Sequence, residues 1–186
     1  DSGFDEVILA TGVNARKINL EGGDHPKVLS YIDVLLHQKE VGKSVAIIGA
    51  GGIGFDVAEY LTHEGKSSAL DTKQFMKEWG VDMKHQDAGA LQEAEVHESP
   101  RQVYLLKRSK GKHGKYLGKT TGWIHRASLK KKGVQMLGMV TYEKVDDAGL
   151  HISIGEKKEV LPVDNVVICA GQEPFRALLE PLQSKG

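Results

Sequence analysis

SVAIIGAGGIGFDVAEYL, residues 44–61, is the stretch from which the rest of the chain can be read. Val45 to Ile48 form an unbroken apolar run, which predicts a buried strand. Gly49, Gly51 and Gly54 follow in G-x-G-x-x-G register, and an apolar-periodic helix starts at once, with Phe55, Val57, Ala58 and Leu61 on its inner side. In a strand–turn–helix unit of this kind Gly49 permits the tight turn, Gly51 lets a pyrophosphate approach the backbone, and Gly54 lets helix and strand pack closely. The helix N-terminus turns its free N–H groups and the positive end of its dipole toward the phosphates. The motif alone is weak evidence; with a strand before it and a helix after it, it predicts dinucleotide binding. The alternative is a Gly-rich turn with no ligand, but glycines raise the entropy cost of folding and a bound phosphate would justify them.

At 186 residues the chain fits one large domain or one domain with pieces of another, and 40% apolar content supports a core. The net charge is zero, which does not point to nucleic acid. Cys169 is the single cysteine, so this chain holds neither a disulfide framework nor a cysteine-ligated iron–sulfur cluster. It lies in the apolar run VVICAG, which predicts a buried small residue rather than a nucleophile. No signal peptide pattern and no apolar run of transmembrane length is present, so the expectation is a soluble, cytoplasmic protein without membrane contact. The chain begins DSGFDEV, without Met and already strand-like, which suggests a segment of a longer polypeptide.

Along the chain, Phe4 to Ala10 reads as a strand running into Thr11-Gly12, and Ser30 as the cap of a short helix through Leu36. After the helix from Ile53 to His63 comes a long polar stretch, residues 66–100, with a helical patch near Phe75 to Trp79; such a length between a helix and its next strand reads as an insertion. Strands are expected at Val103–Leu106 and Val134–Leu137, with a helix over Thr120–Lys130 between them. Val140–Val145, Leu150–Ile154 and Glu159–Leu161 read as an antiparallel meander, Asn165–Ala170 as a final buried strand, and Arg176–Leu182 as a C-terminal helix. The expected fold is α/β: a Rossmann-like, three-layer ββα nucleotide-binding domain. Its parallel sheet has helices on one face and the meander on the other, with a long insertion after the first helix.

In an NAD site an acidic residue ends the second strand and accepts the ribose 2′-hydroxyl. Here that place reads Leu105-Leu106-Lys107-Arg108-Ser109-Lys110, followed by Lys112, Lys115 and Lys119, with no acid. A 2′-phosphate would find a bidentate Arg partner and added positive charge there, so NADP is preferred to NAD. Arg108 is the first candidate, and Lys107, Lys110 and Lys112 are the next. A solvated charged face, or a nucleic-acid surface over Lys107 to Lys132, are the competing readings; the position beside the adenosine ribose and the neutral net charge count against the second. His63, His85, His97, His113 and His125 lack metal-ligand spacing and read as scattered surface residues. No G-x-S-x-G suggests a hydrolase.

FDEVILATG at the start and NVVICAGQEP at the end resemble the Gly-turn junctions of two-dinucleotide flavoproteins, in which a nicotinamide domain is inserted into an FAD domain. Together with GAGGIGFDVAEYL, SPRQVYLLKR and GKTTGWIHR, they resemble the C-terminal region of the bacterial 2,4-dienoyl-CoA reductases, relatives of trimethylamine dehydrogenase and the NADH:flavin oxidoreductases. The resemblance covers essentially the whole chain. It implies that residues 1–34 end an FAD-domain segment and cross over, 35–171 form the NADP-binding domain, and 172–186 start the return to the FAD domain. It further implies a longer polypeptide with FAD, a 4Fe-4S cluster and an FMN-bearing barrel, in which electrons pass from NADPH through these carriers to a dienoyl-CoA in unsaturated fatty acid β-oxidation. This chain would be the NADPH-binding part, inactive alone because the acceptor flavin lies elsewhere. By the same resemblance Gly49, Ala50, Gly51, Gly52, Ile53 and Gly54 are the pyrophosphate loop. Asp56 stands where relatives place a Glu flanking the nicotinamide, Gly171 and Gln172 form the turn beside the nicotinamide end, and Arg108 meets the 2′-phosphate. For Asp56 a helix-dipole role in the first turn is the plain alternative. Trp123 reads as a packing residue. A vestigial structural module and an NADH-dependent relative are the other readings; the intact Gly loop argues against the first, the missing acid against the second.

Overall fold

The computed structural model describes residues 3–184; residues 1–2 and 185–186, at the ends of two expected segments, lie outside the described residues. Regular structure starts with β1 (Val13–Ala15), β2 (Val28–Ser30) and α1 (Tyr31–Leu35). The Gly-rich unit is β3 (Ser44–Ile48) and α2 (Gly52–Leu61), and α3 (Thr72–Trp79) lies in the insertion. There follow β4 (Gln102–Leu106), α4 (Gly122–Lys131) and β5 (Gln135–Leu137), then β6 (Val140–Asp146), β7 (Gly149–Ile154) and β8 (Lys157–Leu161). The last elements are β9 (Asn165–Ile168), β10 (Gln172–Pro174) and α5 (Leu179–Gln183).

Five strands form a parallel sheet in the order β2-β9-β3-β4-β5, and β6-β7-β8 form the separate antiparallel meander. The central strands are apolar on both faces because both faces are covered. Val45 and Ile47 of β3, Val103 and Leu105 of β4, and Val167 of β9 point to the helix side, where Phe55, Val57, Ala58, Leu61 and Leu129 meet them. Ala46, Ile48, Tyr104, Leu106 and Val166 point the other way, onto Val140, Val145, Leu150, Ile152 and Leu161 of the meander. This is the expected three-layer α/β arrangement, and the period-2 alternation of each strand builds both interfaces at once.

Three features depart from the sequence reading. Phe4 to Ala10 is not a strand: it is irregular chain with Phe4, Val7 and Ile8 exposed, and no strand lies beside it among the described residues. An apolar run satisfies a strand's side-chain pattern but not its ladder of hydrogen bonds. Val28–Ser30 does join the sheet, paired in parallel with β9, although it is too short to give a pattern. A two-stranded ribbon, β1 with β10, pairs Val13 with Pro174 and Ala15 with Gln172. The predicted Ser30 cap is present as a full capping box: its hydroxyl accepts from Asp33 N, and the Asp33 carboxylate accepts from Ser30 N. The insertion carries the helix expected near Phe75 to Trp79. Arg101 closes its base, donating to the carbonyl oxygens of Gly42 and Leu61.

Candidate functional site: the carboxyl edge of the parallel sheet

From β3 the chain steps outward through α2 to β4 and through α4 to β5, then crosses by the meander to β9 on the opposite side of β3. The strand order therefore reverses between β3 and β9, and the crevice beyond their carboxyl ends is where open α/β sheets bind ligands. Gly49 sits at that point. Its N–H donates to Leu106 O and Cys169 N donates to Ile48 O, so the three strand ends are tied together there. Gly49 has φ +115°, and a Cβ on it would lie 2.7 Å from Cys169 O. A left-handed turn against neighbouring backbone leaves room for glycine alone.

Gly51, Gly52 and Gly54 divide two tasks. A Cβ at Gly54 would collide with the Gly49 carbonyl oxygen, so Gly54 serves the packing of α2 onto the loop. A Cβ at Gly51 or Gly52 would meet nothing within 4 Å, so these two keep the surface low and open. Gly51 is the N-cap of α2, and no side chain caps the helix, which leaves its first N–H groups directed outward. A pyrophosphate fits this arrangement: open backbone, uncapped donors and a favourable dipole end. Ala50 and Ile53 stand between the glycines as expected, with the Ala50 carbonyl accepting from Gly114 N.

That last bond belongs to the basic loop. After β4, Lys107 bends back, and its ammonium donates to the carbonyl oxygens of Lys112 at 2.9 Å and Lys110 at 3.4 Å. Its charge is thereby engaged by loop carbonyls, and it holds the loop in shape. Arg108, Lys110 and Lys112 are exposed, and Arg108 has no ion-pair partner among the described residues. His113 is a correction to the reading of surface histidines: it is 8% exposed, with Nε2 3.1 Å from Leu137 O. Burial pushes its pKa down, so it packs as a neutral ring that anchors the loop to β5.

At the other side of the crevice, Gly171 has φ +98° and packs under the Arg16 guanidinium. Arg16 donates to the Gln172 carbonyl, and its Nε lies 3.4 Å from Glu173 Oε1. The Gln172 side chain reaches the Tyr31 hydroxyl. Asp56 is exposed and is the fifth residue of α2, beyond the first turn, so the first-turn dipole role does not apply to it. Its charge bears on Cys169, whose thiol is pushed up to about 12, chiefly by burial and then by Asp56. Trp123 stays 57% exposed, and its one ring contact among the described residues is edge-on to Trp79 of α3, with centroids 6.3 Å apart, which joins α4 to the insertion. Among the described residues no group of His, Cys, Asp or Glu is arranged to hold a metal ion, and no helix is long and apolar enough to cross a membrane.

The structure thus brings the Gly loop, the basic loop and the Gly171-Gln172 turn to one edge of one sheet. What sequence reasoning missed is the segment from Arg16 to Leu20, which runs along this edge and lines cavities there. Its signal was a pair of adjacent cations in a loop, indistinguishable by pattern from a solvated surface.

Comparison with known proteins agrees with the geometry. A family model described as pyridine nucleotide-disulphide oxidoreductase matches residues 1–185. A metal reductase from Desulforamulus reducens is 24% identical over 98% of this chain and 26% of its own length. A cinnamate reductase from Clostridium sporogenes is 48% identical over a shorter stretch, 37% of this chain and 10% of its own. The solved structure of 2-naphthoyl-CoA reductase with 2-naphthoyl-CoA superposes with a TM-score of 0.69 at 22% identity, over 95% of this chain and 21% of that one. The chain spans about a quarter or less of the length of these relatives. By the match over nearly its whole length, and by a Gly loop set at the switch point of a parallel sheet, this chain belongs to the pyridine nucleotide-disulphide oxidoreductase family.

Proposed function

We propose that this chain is the NADPH-binding unit of a larger flavoenzyme. The observation that carries the reading is the pairing of an uncapped α2 N-terminus with an acid-free, cationic loop after β4, in which Arg108 has no ion-pair partner among the described residues. Gly49, Ala50, Gly51, Gly52, Ile53 and Gly54 would cradle the pyrophosphate. Arg108, with Lys110 and Lys112, would hold the 2′-phosphate, and Lys107 would shape the loop that presents them. Gly171 and Gln172 would border the nicotinamide, with Asp56 nearby. When bound, NADPH supplies a hydride; this chain's residues bind and orient it, and the acceptor belongs to the flanking FAD domain.

The resemblance to the 2,4-dienoyl-CoA reductases extends the reading. Residues 1–34 and 172–186 would connect to the FAD domain of the same polypeptide, 35–171 would form the NADP domain, and an FMN barrel and a 4Fe-4S cluster would carry electrons to a dienoyl-CoA. The local likeness to a cinnamate reductase supports a reductase of a conjugated double bond. The setting would be cytoplasmic, with no part for nucleic acid or membrane. This chain alone would bind NADPH without turnover.

Titration with NADPH and NADH tests the core of this. NADPH should bind more tightly, and Arg108→Ala should weaken NADPH by about ten- to a hundredfold, roughly 1.5–3 kcal/mol, while leaving NADH nearly unchanged. Equal affinity for the two nucleotides would refute the 2′-phosphate assignment, and no binding of either at millimolar concentration would refute the unit as a nucleotide site.

A further inference from the structure

A cavity of about 460 Å³ opens at the carboxyl edge of the parallel sheet, on its meander side. Ile48 and Ala170, the residues that flank the switch point, line it, so it adjoins Gly49. Its size falls in the range of small-molecule sites, about 300–1,000 Å³. Arg108 faces it for a reason legible in β4: Leu106 points to the meander, and the residue two positions on continues on the same side. Two further groups arrive from unrelated parts of the chain, Lys17 from the segment after β1 and Tyr142 from β6. Arg16, Lys17 and Arg108 contribute three cations and no carboxylate lines the cavity. Arg16 is already engaged with Gln172 and Glu173, whereas Lys17 has no ion-pair partner among the described residues. The Tyr142 ring packs against the meander core, and burial pushes its hydroxyl up to about 12. At neutral pH it is therefore a hydrogen-bond donor with no charge of its own.

We infer that this cavity receives the phosphorylated ribose of the dinucleotide, with the Tyr142 hydroxyl and the Lys17 ammonium joining Arg108 as ligands of the 2′-phosphate. The inference rests on the NADPH reading and assigns specificity to residues from β6 and from the segment after β1, far in sequence from the loop after β4. A dianionic phosphate gains from each of the three: a planar two-pronged donor, a point charge and a neutral O–H. An unphosphorylated ribose would leave the cations that line the cavity without an anionic partner. The cavity thus favours one dinucleotide over the other by attraction to the first rather than by exclusion of the second.

The test is equilibrium titration of the protein and of its Tyr142→Phe, Lys17→Met and Arg108→Ala variants with NADPH and NADH. Tyr142→Phe removes one oxygen and keeps the ring, so the meander core is preserved. The inference expects NADPH to weaken about fivefold to tenfold in both Tyr142→Phe and Lys17→Met, with NADH changed by less than about twofold. If Arg108→Ala loses NADPH while the other two variants keep it, the cavity assignment is overturned and the NADPH reading stands. If Tyr142→Phe weakens both nucleotides alike, the tyrosine supports the fold and not the phosphate, and the assignment is overturned. If the unmodified protein itself shows no preference for NADPH, the reading and the inference fail together.

Discussion

The carbonyl oxygen of Gly49 occupies the place where the Cβ of any side chain at Gly54 would stand. The two residues lie on opposite sides of the turn from β3 to α2, so this contact sets how closely the helix rides on the sheet. Gly54→Ala must push α2 away from β3 or distort the turn, and a backbone oxygen cannot rotate aside as a side chain can. The variant should be destabilised by about 2–3 kcal/mol, read as a lower denaturation midpoint. A midpoint within a few tenths of a kcal/mol of the parent would show that the contact has slack.

Gly51→Ala should behave differently. Position 51 has φ −87°, which alanine adopts freely, and its Cβ would meet nothing within 4 Å. Replacing this glycine restricts the unfolded chain but loses a favoured N-cap residue, so the two effects oppose and stability should change by less than about 1 kcal/mol. In the proposed site the new methyl would stand in the way of the pyrophosphate, and NADPH affinity should then fall at least about tenfold. A variant that folds nearly as well and binds worse separates a glycine kept for a ligand from one kept for packing.

The capping box gives the fold a measurable acid dependence. The Asp33 carboxyl, ordinarily near 3.8, is held down at about 2 by Lys39, whose Nζ lies 2.7 Å away, and by the Ser30 side chain and backbone, against a smaller opposing effect of burial. A depressed carboxylate favours the folded state while ionised. Its contribution is therefore full above the unfolded value near 3.8 and is lost as pH falls through about 2. Ser30→Ala should cost about 1 kcal/mol at neutral pH. The gap between parent and variant should narrow in denaturation curves taken below about pH 4. A gap independent of pH would mean that the hydroxyl caps α1 without help from Asp33.

Cys169 should be inert in the native protein. Its thiol is 6% exposed and is held up at about 12 by burial and by Asp56, so almost no thiolate exists at pH 8. A chromogenic disulfide reagent should label it only as the protein unfolds, at the unfolding rate. Rapid labelling of folded protein would place the sulfur in solvent and would contradict its position behind Gly49.

The centre of the molecule was legible before any coordinates because its signals are local. β3, β4 and β9 announce themselves as apolar runs, α2 by its period, and the Gly spacing fixes the turn that joins them. The edges were not legible. β2, β1 and β10 are three residues each, and their membership of a sheet is decided by partners some 140–160 residues away, as in Val28 with Val166 and Val13 with Pro174. Phe4 to Ala10 failed for the converse reason: its side chains suit a strand, but among the described residues no strand pairs with it. In the candidate site, motif and charge point to the Gly loop and Arg108, and the fold sets both at the carboxyl edge of the sheet. The half-engaged state of Lys107, the buried ring of His113 and the place of Lys17 and Tyr142 depend on how loops fold back, which no short pattern encodes.

Trp79 and Trp123 are the two tryptophans of the chain, and they touch, edge to face, across the seam between α3 and α4. Lys131 lies over the Trp79 ring, 4.3 Å from its centroid. The indole signal of this protein is consequently concentrated in one joint. Its emission registers whether the insertion is seated on α4, while Tyr104 on the core strand β4 is a separate reporter. A loosened insertion would therefore announce itself in the indole emission before the core strands part.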